Sequence, residues 1–143
     1  VIEFNCRFGD PETQVVLPIL DGDLLELMCS AASEKISKDS VSYGGKTAVC
    51  VVASSKGYPD EYEKGFEISG IEEVEKNGGL VFQAGTKLED GKLLTNGGRV
   101  LAVTAVLDEN DIKQCKGKAY DYISQIDFEG IHYRKDISDK AIL

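Results

Sequence analysis

Residues 3–7 contain three polar side chains whose types and spacing could do chemistry. Apolar and polar residues alternate over residues 1–8, which predicts a half-buried strand. Glu3, Asn5 and Arg7 then lie on one face, each about 6 to 7 Å from the next. Carboxylate and amide oxygens suit a hard cation such as Mg²⁺, and a guanidinium can reach a phosphoryl group under transfer. A solvent-facing strand with one internal ion pair explains the same spacing, so both interpretations stand.

A second candidate is the segment Thr95-Asn96-Gly97-Gly98-Arg99, which lies between two β-type runs. Its composition predicts a hairpin turn in which asparagine and glycine adopt positive φ. Consecutive glycines also let backbone N–H groups approach an anion, and Arg99 could add a bidentate contact to phosphate. A turn and an anion site can coexist in one segment.

The elements that would position these residues begin with a helical region. Gly9 and Asp10 supply a turn, Asp10 is a candidate N-cap, and Pro11 suits the first helical turn. A helix should follow, with Pro18 interrupting it. Helical spacing of apolar residues resumes over residues 24–32.

Residues 34–47 are polar and rich in turn formers, which predicts a boundary between a unit at 1–40 and a unit at 41–143. Beyond it, apolar helical spacing from Asn110 predicts an amphipathic helix that covers one face of a sheet. We therefore predict an α+β fold with a small antiparallel sheet or barrel. Its short β-type runs are 48–53, 65–69, 80–84, 92–95 and 99–107.

Composition limits the possible partners. The 143 residues include 25 acidic and 16 basic side chains, a net charge of −9, which disfavours nucleic acid and anionic membranes as partners. No apolar run is long enough to cross a bilayer. The four cysteines lack metal-site spacing, so free thiols and a cytoplasmic location are expected.

The first thirteen residues, VIEFNCRFGDPET, resemble the signature segment of the glycinamide ribonucleotide synthetase family. The similarity continues through SKGYP (55–59), YEKG (62–65), AGT (84–86), TNGGRVL (95–101) and YRKD (133–136). The resemblance implies the end of an ATP-grasp module, a strand plus helices, followed by a small β-rich domain. It also implies a part in ATP-dependent joining of 5-phosphoribosylamine to glycine through a glycyl phosphate, in purine biosynthesis.

Carried over residue by residue, the resemblance implies Glu3 and Asn5 as ligands of Mg²⁺ or Mn²⁺, with Arg7 beside the phosphates of ATP, the co-substrate. It implies Arg99, with Gly97 and Gly98, as the site for the sugar phosphate of phosphoribosylamine. The roles of two further acidic residues, Asp10 and Glu12, each have two interpretations. Asp10 and Glu12 could bind the ammonium of glycine, or serve only as an N-cap and a first-turn residue.

Two alternatives to this ligase remain at the level of sequence. Another ATP-grasp enzyme, such as a carboxylase, can carry a similar Glu-x-Asn-x-Arg strand, and a fragment could keep the fold without activity. The abrupt opening on an apolar strand predicts that the chain is part of a longer protein. The residues that clamp ATP would lie upstream, and we expect the 143-residue chain alone to be inactive. His132 and the loop at 58–65 receive no role.

Overall fold

A three-stranded antiparallel sheet forms the centre of the molecule, in a computed structural model that describes residues 7–36 and 39–142. Its strands are β3 (Thr47–Ser54), β7 (Arg99–Leu107) and β4 (Leu80–Gln83), with β7 in the middle. Most of β7 is buried on both faces, as expected of a central strand rich in valine and alanine. The predicted runs at 48–53, 80–84 and 99–107 are thereby confirmed as strands.

One face of the sheet packs against helix α4 (Ile112–Ile123). Asp111 caps this helix, since its carboxylate accepts from the backbone N–H of Gln114 at 2.8 Å. The predicted covering helix is confirmed. The residues shared between helix and sheet are apolar and buried: Val49, Val51, Ala53, Cys115, Ala119, Tyr122 and Ile123.

The opposite face of the sheet carries the segment that contains α1 (Thr13–Val16) and a 3₁₀ turn (Leu17–Ile19). Pro18 lies in the first turn of the 3₁₀ segment, so the predicted interruption at this proline is confirmed. A hydrogen bond joins the segment to the sheet, because the Thr104 hydroxyl donates to the carbonyl of Gln14 at 3.1 Å. The fold therefore holds residues 9–19 against the back of β3 and β7.

Beyond α1 the chain forms β1 (Leu20–Gly22), α2 (Leu24–Ala32) and β2 (Val41–Tyr43), and β1 pairs antiparallel with β2. Asp23 caps α2 by accepting from the N–H of Glu26 at 2.9 Å. The β1–β2 pair joins residues on both sides of the predicted boundary near residue 40. The division into units at 1–40 and 41–143 stays a prediction.

The remaining elements are short. They are α3 (Ile71–Lys76), the pair β5 (Thr86–Glu89) and β6 (Lys92–Thr95), and α5 (Asp139–Ile142). Among the described residues the strands form open sheets of two or three strands each. Of the two predicted arrangements, a small antiparallel sheet or a barrel, the structure therefore has the sheet. β6 confirms the predicted run at 92–95.

One predicted strand is not a strand in the structure. Residues 65–69 make only isolated bridges, Glu67 with Leu94 and Ser69 with Asp127, and a further isolated bridge joins His132 to Ser54. Of the first predicted strand, residues 1–6 lie outside the described residues, and Arg7 and Phe8 belong to no helix or strand. The predicted ligands Glu3 and Asn5 are therefore not placed by the structure.

Candidate functional site

The structure brings together Arg99 and Asp10, which are 89 residues apart in sequence. One guanidinium nitrogen, Nη2, lies 3.0 Å from the Asp10 Oδ2 atom, and Nη1 donates to the Asp10 carbonyl at 3.3 Å. The two side chains are 42% and 50% exposed. A ligand from solvent can therefore reach a guanidinium that the protein already orients.

Asp10 is not the N-cap of α1, contrary to one of the two interpretations of its role. The cap position belongs to Glu12, without a side-chain hydrogen bond, and the Thr13 N–H and hydroxyl both donate to the Gly9 carbonyl. The Asp10 carboxylate instead accepts from Gln14 Nε2 at 2.9 Å and pairs with Arg99. The cap interpretation is wrong because the Gly9 carbonyl, and not the Asp10 carboxylate, accepts the hydrogen bonds from Thr13 at the start of the helix. The Asp10 carboxylate is therefore available to contact Gln14 and Arg99.

The segment between β6 and β7 is not the hairpin turn that its composition predicts. β6 pairs with β5, whereas β7 pairs with β3 and β4. Neither Gly97 nor Gly98 has a positive φ. Their role is close approach, because a Cβ at Gly97 would lie 2.8 Å from the Gly85 Cα and one at Gly98 would overlap the Tyr58 ring.

Hydrogen bonds from two neighbouring segments hold this loop. Ser55 donates its hydroxyl to the Gly97 carbonyl at 2.9 Å and its N–H to the Gly98 carbonyl at 2.8 Å. Gly85 donates to the Arg99 carbonyl at 3.0 Å. The loop backbone is thus fixed through its carbonyl groups, which determines where the Arg99 side chain begins.

The N–H groups of Gly97 and Gly98 have no acceptor among the residues that the structure describes. Gly98 is buried. Buried backbone donors are normally paired, and the Gly98 N–H is such a donor without an acceptor within the described ranges. The oriented guanidinium of Arg99 can offer charge-assisted donors to a phosphate or carboxylate.

The structure does not bring the other sequence-predicted residues into this site. Arg7 is exposed and donates to the Phe8 carbonyl at 2.8 Å, with no contact to Arg99 or Asp10 among the described hydrogen bonds and ion pairs. Glu12 is exposed and makes no side-chain hydrogen bond or ion pair within the described ranges. In residues 7–36 and 39–142, no three His, Cys, Asp or Glu side chains group as metal ligands.

Sequence reasoning missed four residues that support the site: Gln14, Ser55, Tyr58 and Gly85. Only Gln14 carried a local signal, because it lies four residues after Asp10, where helical side chains meet. Beside Ser55 an open groove of about 620 Å³ runs along the loop that received no role. Its lining residues are Ser55, Lys56, Gly57, Glu61, Tyr62, Glu63, Phe66, Glu129 and Gly130.

Three of the predicted free thiols are confirmed, at Cys29, Cys50 and Cys115, whereas Cys6 lies outside the described residues. Burial raises the pKa of the Cys50 thiol, which also has Thr104 as a hydrogen-bonding neighbour. Burial likewise raises the pKa of Cys115. The buried Cys115 thiol and the partly buried Cys50 thiol therefore favour the protonated form at neutral pH, which is a poor nucleophile.

Known proteins resemble this chain in both sequence and fold. The sequence model of the family described as phosphoribosylglycinamide synthetase, C domain, matches residues 48–140. A crystal structure of phosphoribosylamine–glycine ligase from Thermotoga maritima is 38% identical, with a TM-score of 0.75, over 96% of this chain and 33% of that one.

Similar sequences come from bacteria and animals. A phosphoribosylamine–glycine ligase of Caldanaerobacter subterraneus is 50% identical over 138 residues, which are 96% of this chain and 32% of the relative. The trifunctional purine biosynthetic protein adenosine-3 of Gallus gallus is 48% identical over 99% of this chain and 14% of the relative. The chain spans about a third of the length of the single-enzyme relatives it matches.

Proposed function

Because the chain belongs to the phosphoribosylglycinamide synthetase C-domain family, we propose that it is the C domain of a ligase that joins 5-phosphoribosylamine to glycine. ATP is cleaved to ADP and phosphate, and glycyl phosphate is the intermediate. The product is glycinamide ribonucleotide, in de novo purine biosynthesis. The observation that carries the proposal is 50% identity, over 96% of the chain, to a protein named phosphoribosylamine–glycine ligase.

The chemical character of the Arg99 site supports the proposal. A sugar phosphate needs charge-assisted donors, which the oriented and partly exposed guanidinium of Arg99 supplies, and we propose the N–H groups of Gly97 and Gly98 as further donors. The net charge of −9 is no obstacle, because one oriented guanidinium can hold a phosphate on an acidic protein. We assign the phosphate of phosphoribosylamine to Arg99.

The ammonium of glycine remains our proposed ligand for Asp10 and Glu12. Both carboxylates lie in the turn before α1, and that of Asp10 is half exposed while it contacts Arg99. A carboxylate between an arginine and the substrates can attract an amine while it keeps the guanidinium in place. Glu12 has its carboxylate free within the described residues.

A divalent metal, Mg²⁺ or Mn²⁺, would bind Glu3 and Asn5. The donor set fits, since carboxylate and amide oxygens are the ligands that hard cations prefer. When bound, the metal would neutralise the phosphates of ATP. Arg7 follows on the same segment, and its exposed guanidinium is free to contact a transferring phosphoryl group.

The remaining residues of an active ligase would come from the upstream part of the same polypeptide, as part of an ATP-grasp module. Helix α2 supports such a partner because none of its residues is buried, although its sequence is LLELMCSAA. Leu25 is 71% exposed and Met28 48%. None of the described helices is long and apolar enough to cross a membrane. We keep the cytoplasm as the proposed location.

The experiment that tests the function measures ADP release by the full-length protein with Mg-ATP and freshly made phosphoribosylamine, with and without glycine. We expect release to depend on both substrates. Absence of turnover in a folded, metal-loaded protein would contradict the proposal. The protein would then be an ATP-grasp enzyme with another substrate, or a module that keeps the fold without activity. The 143-residue chain alone should show no turnover and should bind Mg-ATP weakly. Tight nucleotide binding by the chain alone would contradict that expectation.

A further inference from the structure

Gln14 connects the candidate site to the central sheet. Its Nε2 donates to the Asp10 Oδ1 atom at 2.9 Å, and its carbonyl accepts from the Thr104 hydroxyl at 3.1 Å. Thr104 lies inside β7 and is fully buried, so the link begins at a rigid point of the fold. The Asp10 carboxylate then contacts Arg99 through its other oxygen. A continuous chain of hydrogen bonds therefore runs from the sheet to the guanidinium.

The second carboxamide atom of Gln14 is unusual. Its Oε1 is buried and has no hydrogen-bond partner among the described residues. Burying a polar atom without a partner is unfavourable, and a leucine or methionine of similar size would avoid it. Rotating the amide does not help, since Oε1 would then face the Asp10 carboxylate. The stability of the described fold therefore does not explain an amide here, whereas the contact to Asp10 does.

We propose that Gln14 is a positioning residue for the Arg99 site, acting through the Asp10 carboxylate. Gln14 fixes Asp10, and Asp10 fixes the guanidinium, so the arginine loses less side-chain freedom when a phosphate binds. The proposal rests on the proposed function to the extent that the bound phosphate belongs to phosphoribosylamine. It names a residue to which neither the family resemblance nor the sequence pattern gave a role.

The test in the full-length protein replaces Gln14 by Leu, which keeps the size and removes the amide. We expect the KM for phosphoribosylamine to rise about three- to tenfold, with kcat within about twofold, because the loss concerns binding and not chemistry. The thermal midpoint should stay the same or rise, since the unpaired oxygen is gone. Gln114→Leu is the matched control: this glutamine is exposed on α4, across the sheet, and its replacement should leave the KM unchanged.

A double-variant cycle separates positioning from general structure. If Gln14 acts through Asp10, Gln14→Leu should have no further effect on the KM in an Asp10→Ala background. An equal effect in both backgrounds, or a lower thermal midpoint with an unchanged KM, would overturn the proposal. Gln14→Met provides a second apolar variant in case Gln14→Leu does not fold.

A readout without turnover keeps this test independent of the proposed function. Inorganic phosphate is titrated into ¹⁵N-arginine-labelled protein, and the Nε–H signal of Arg99 is followed by NMR. We expect Gln14→Leu to weaken the phosphate response at least threefold. An unchanged or tighter response would overturn the positioning role even if the ligase activity were established. A weakened response in a protein without ligase activity would leave the role intact and refute the substrate.

Discussion

The Arg99–Asp10 contact gives an acidic protein an oriented cationic group at which an anion could bind. The guanidinium is neutralised by one carboxylate in the absence of ligand and is still about two-fifths exposed. Its remaining donors belong to a side chain that Asp10 holds in place, so their direction does not depend on the net charge of the protein. Under the proposed function, recognition of a phosphate group would depend on a few atoms and not on the charge of the whole protein.

The first prediction concerns the removal of that guanidinium in the full-length protein. Arg99→Ala should raise the KM for phosphoribosylamine by about 10- to 100-fold, because a charge-assisted contact contributes about 1.5 to 3 kcal/mol. Steady-state kinetics in each substrate measures it, with Lys92→Ala, which breaks an exposed pair with Glu67, as control. An unchanged KM for phosphoribosylamine would contradict the assignment of its phosphate to Arg99. Glu3→Ala, by contrast, should damage ATP turnover itself.

The second prediction uses two glycines with opposite surroundings. Gly98→Ala places a methyl group against the Tyr58 ring, so the loop must shift and the KM for phosphoribosylamine should rise several-fold. Gly117→Ala on α4 meets no atom within 4 Å and should stabilise the protein by about 0.5 to 1 kcal/mol. Kinetics and denaturant unfolding of both variants test the pair. A Gly98→Ala protein with native kinetics would show that the close approach is not needed.

At the scale of elements, the parts predicted correctly are those with long local signals. β3 and β7 have eight and nine residues in nearly continuous apolar runs rich in valine and alanine, and the twelve residues of α4 carry apolar positions at intervals of three or four. Pro18 also gave a correct boundary, because its ring cannot continue a helix whatever surrounds it. Such signals are local and do not depend on tertiary contacts.

The missed elements are short and depend on distant partners. β5 contains two charged residues in four, and it forms because it pairs with β6 through the turn at Asp90 and Gly91, both with positive φ. Residues 65–69 look like a strand, yet they make only single bridges to β6 and to Asp127. Arg99 and Asp10 are 89 residues apart in sequence, so residue spacing could not predict their contact. The family resemblance singled out both residues but did not indicate that they touch.

The third prediction concerns the thiols on the two faces of the sheet. Because burial raises the pKa of Cys50 and Cys115, the folded protein favours their neutral forms. Their contribution to stability is complete below the unfolded thiol pKa, about 8.5, and is lost as pH rises through the folded values. The free energy of unfolding, measured with urea, should therefore begin to fall as the pH rises past about 8.5. Cys115→Ala should show a shallower fall, and an identical slope would refute the assignment.

At the scale of the whole molecule, the central sheet serves as the common support of the site. Segment 9–19 packs on one face of the sheet and carries Asp10 and Gln14, while the strand that crosses the sheet begins with Arg99. Helix α4 fills the other face and contributes no residue to the site. One face of the sheet is therefore packed by α4, while the other supports the half-exposed Arg99–Asp10 contact.

The fourth prediction concerns the surface of α2. An exposed helix with Leu25 and Met28 on its surface should be covered by the upstream part of the full-length protein, because large exposed apolar side chains usually mark a contact. Cys29 on the same helix is exposed and reports on it. Iodoacetamide should label Cys29 readily in the 143-residue chain and at least tenfold more slowly in the full-length protein. Cys115 provides the internal control, since its buried thiol should resist labelling until the protein unfolds. Equal labelling of Cys29 in the two proteins would mean that the upstream part leaves α2 uncovered, and the apolar face would then need another partner.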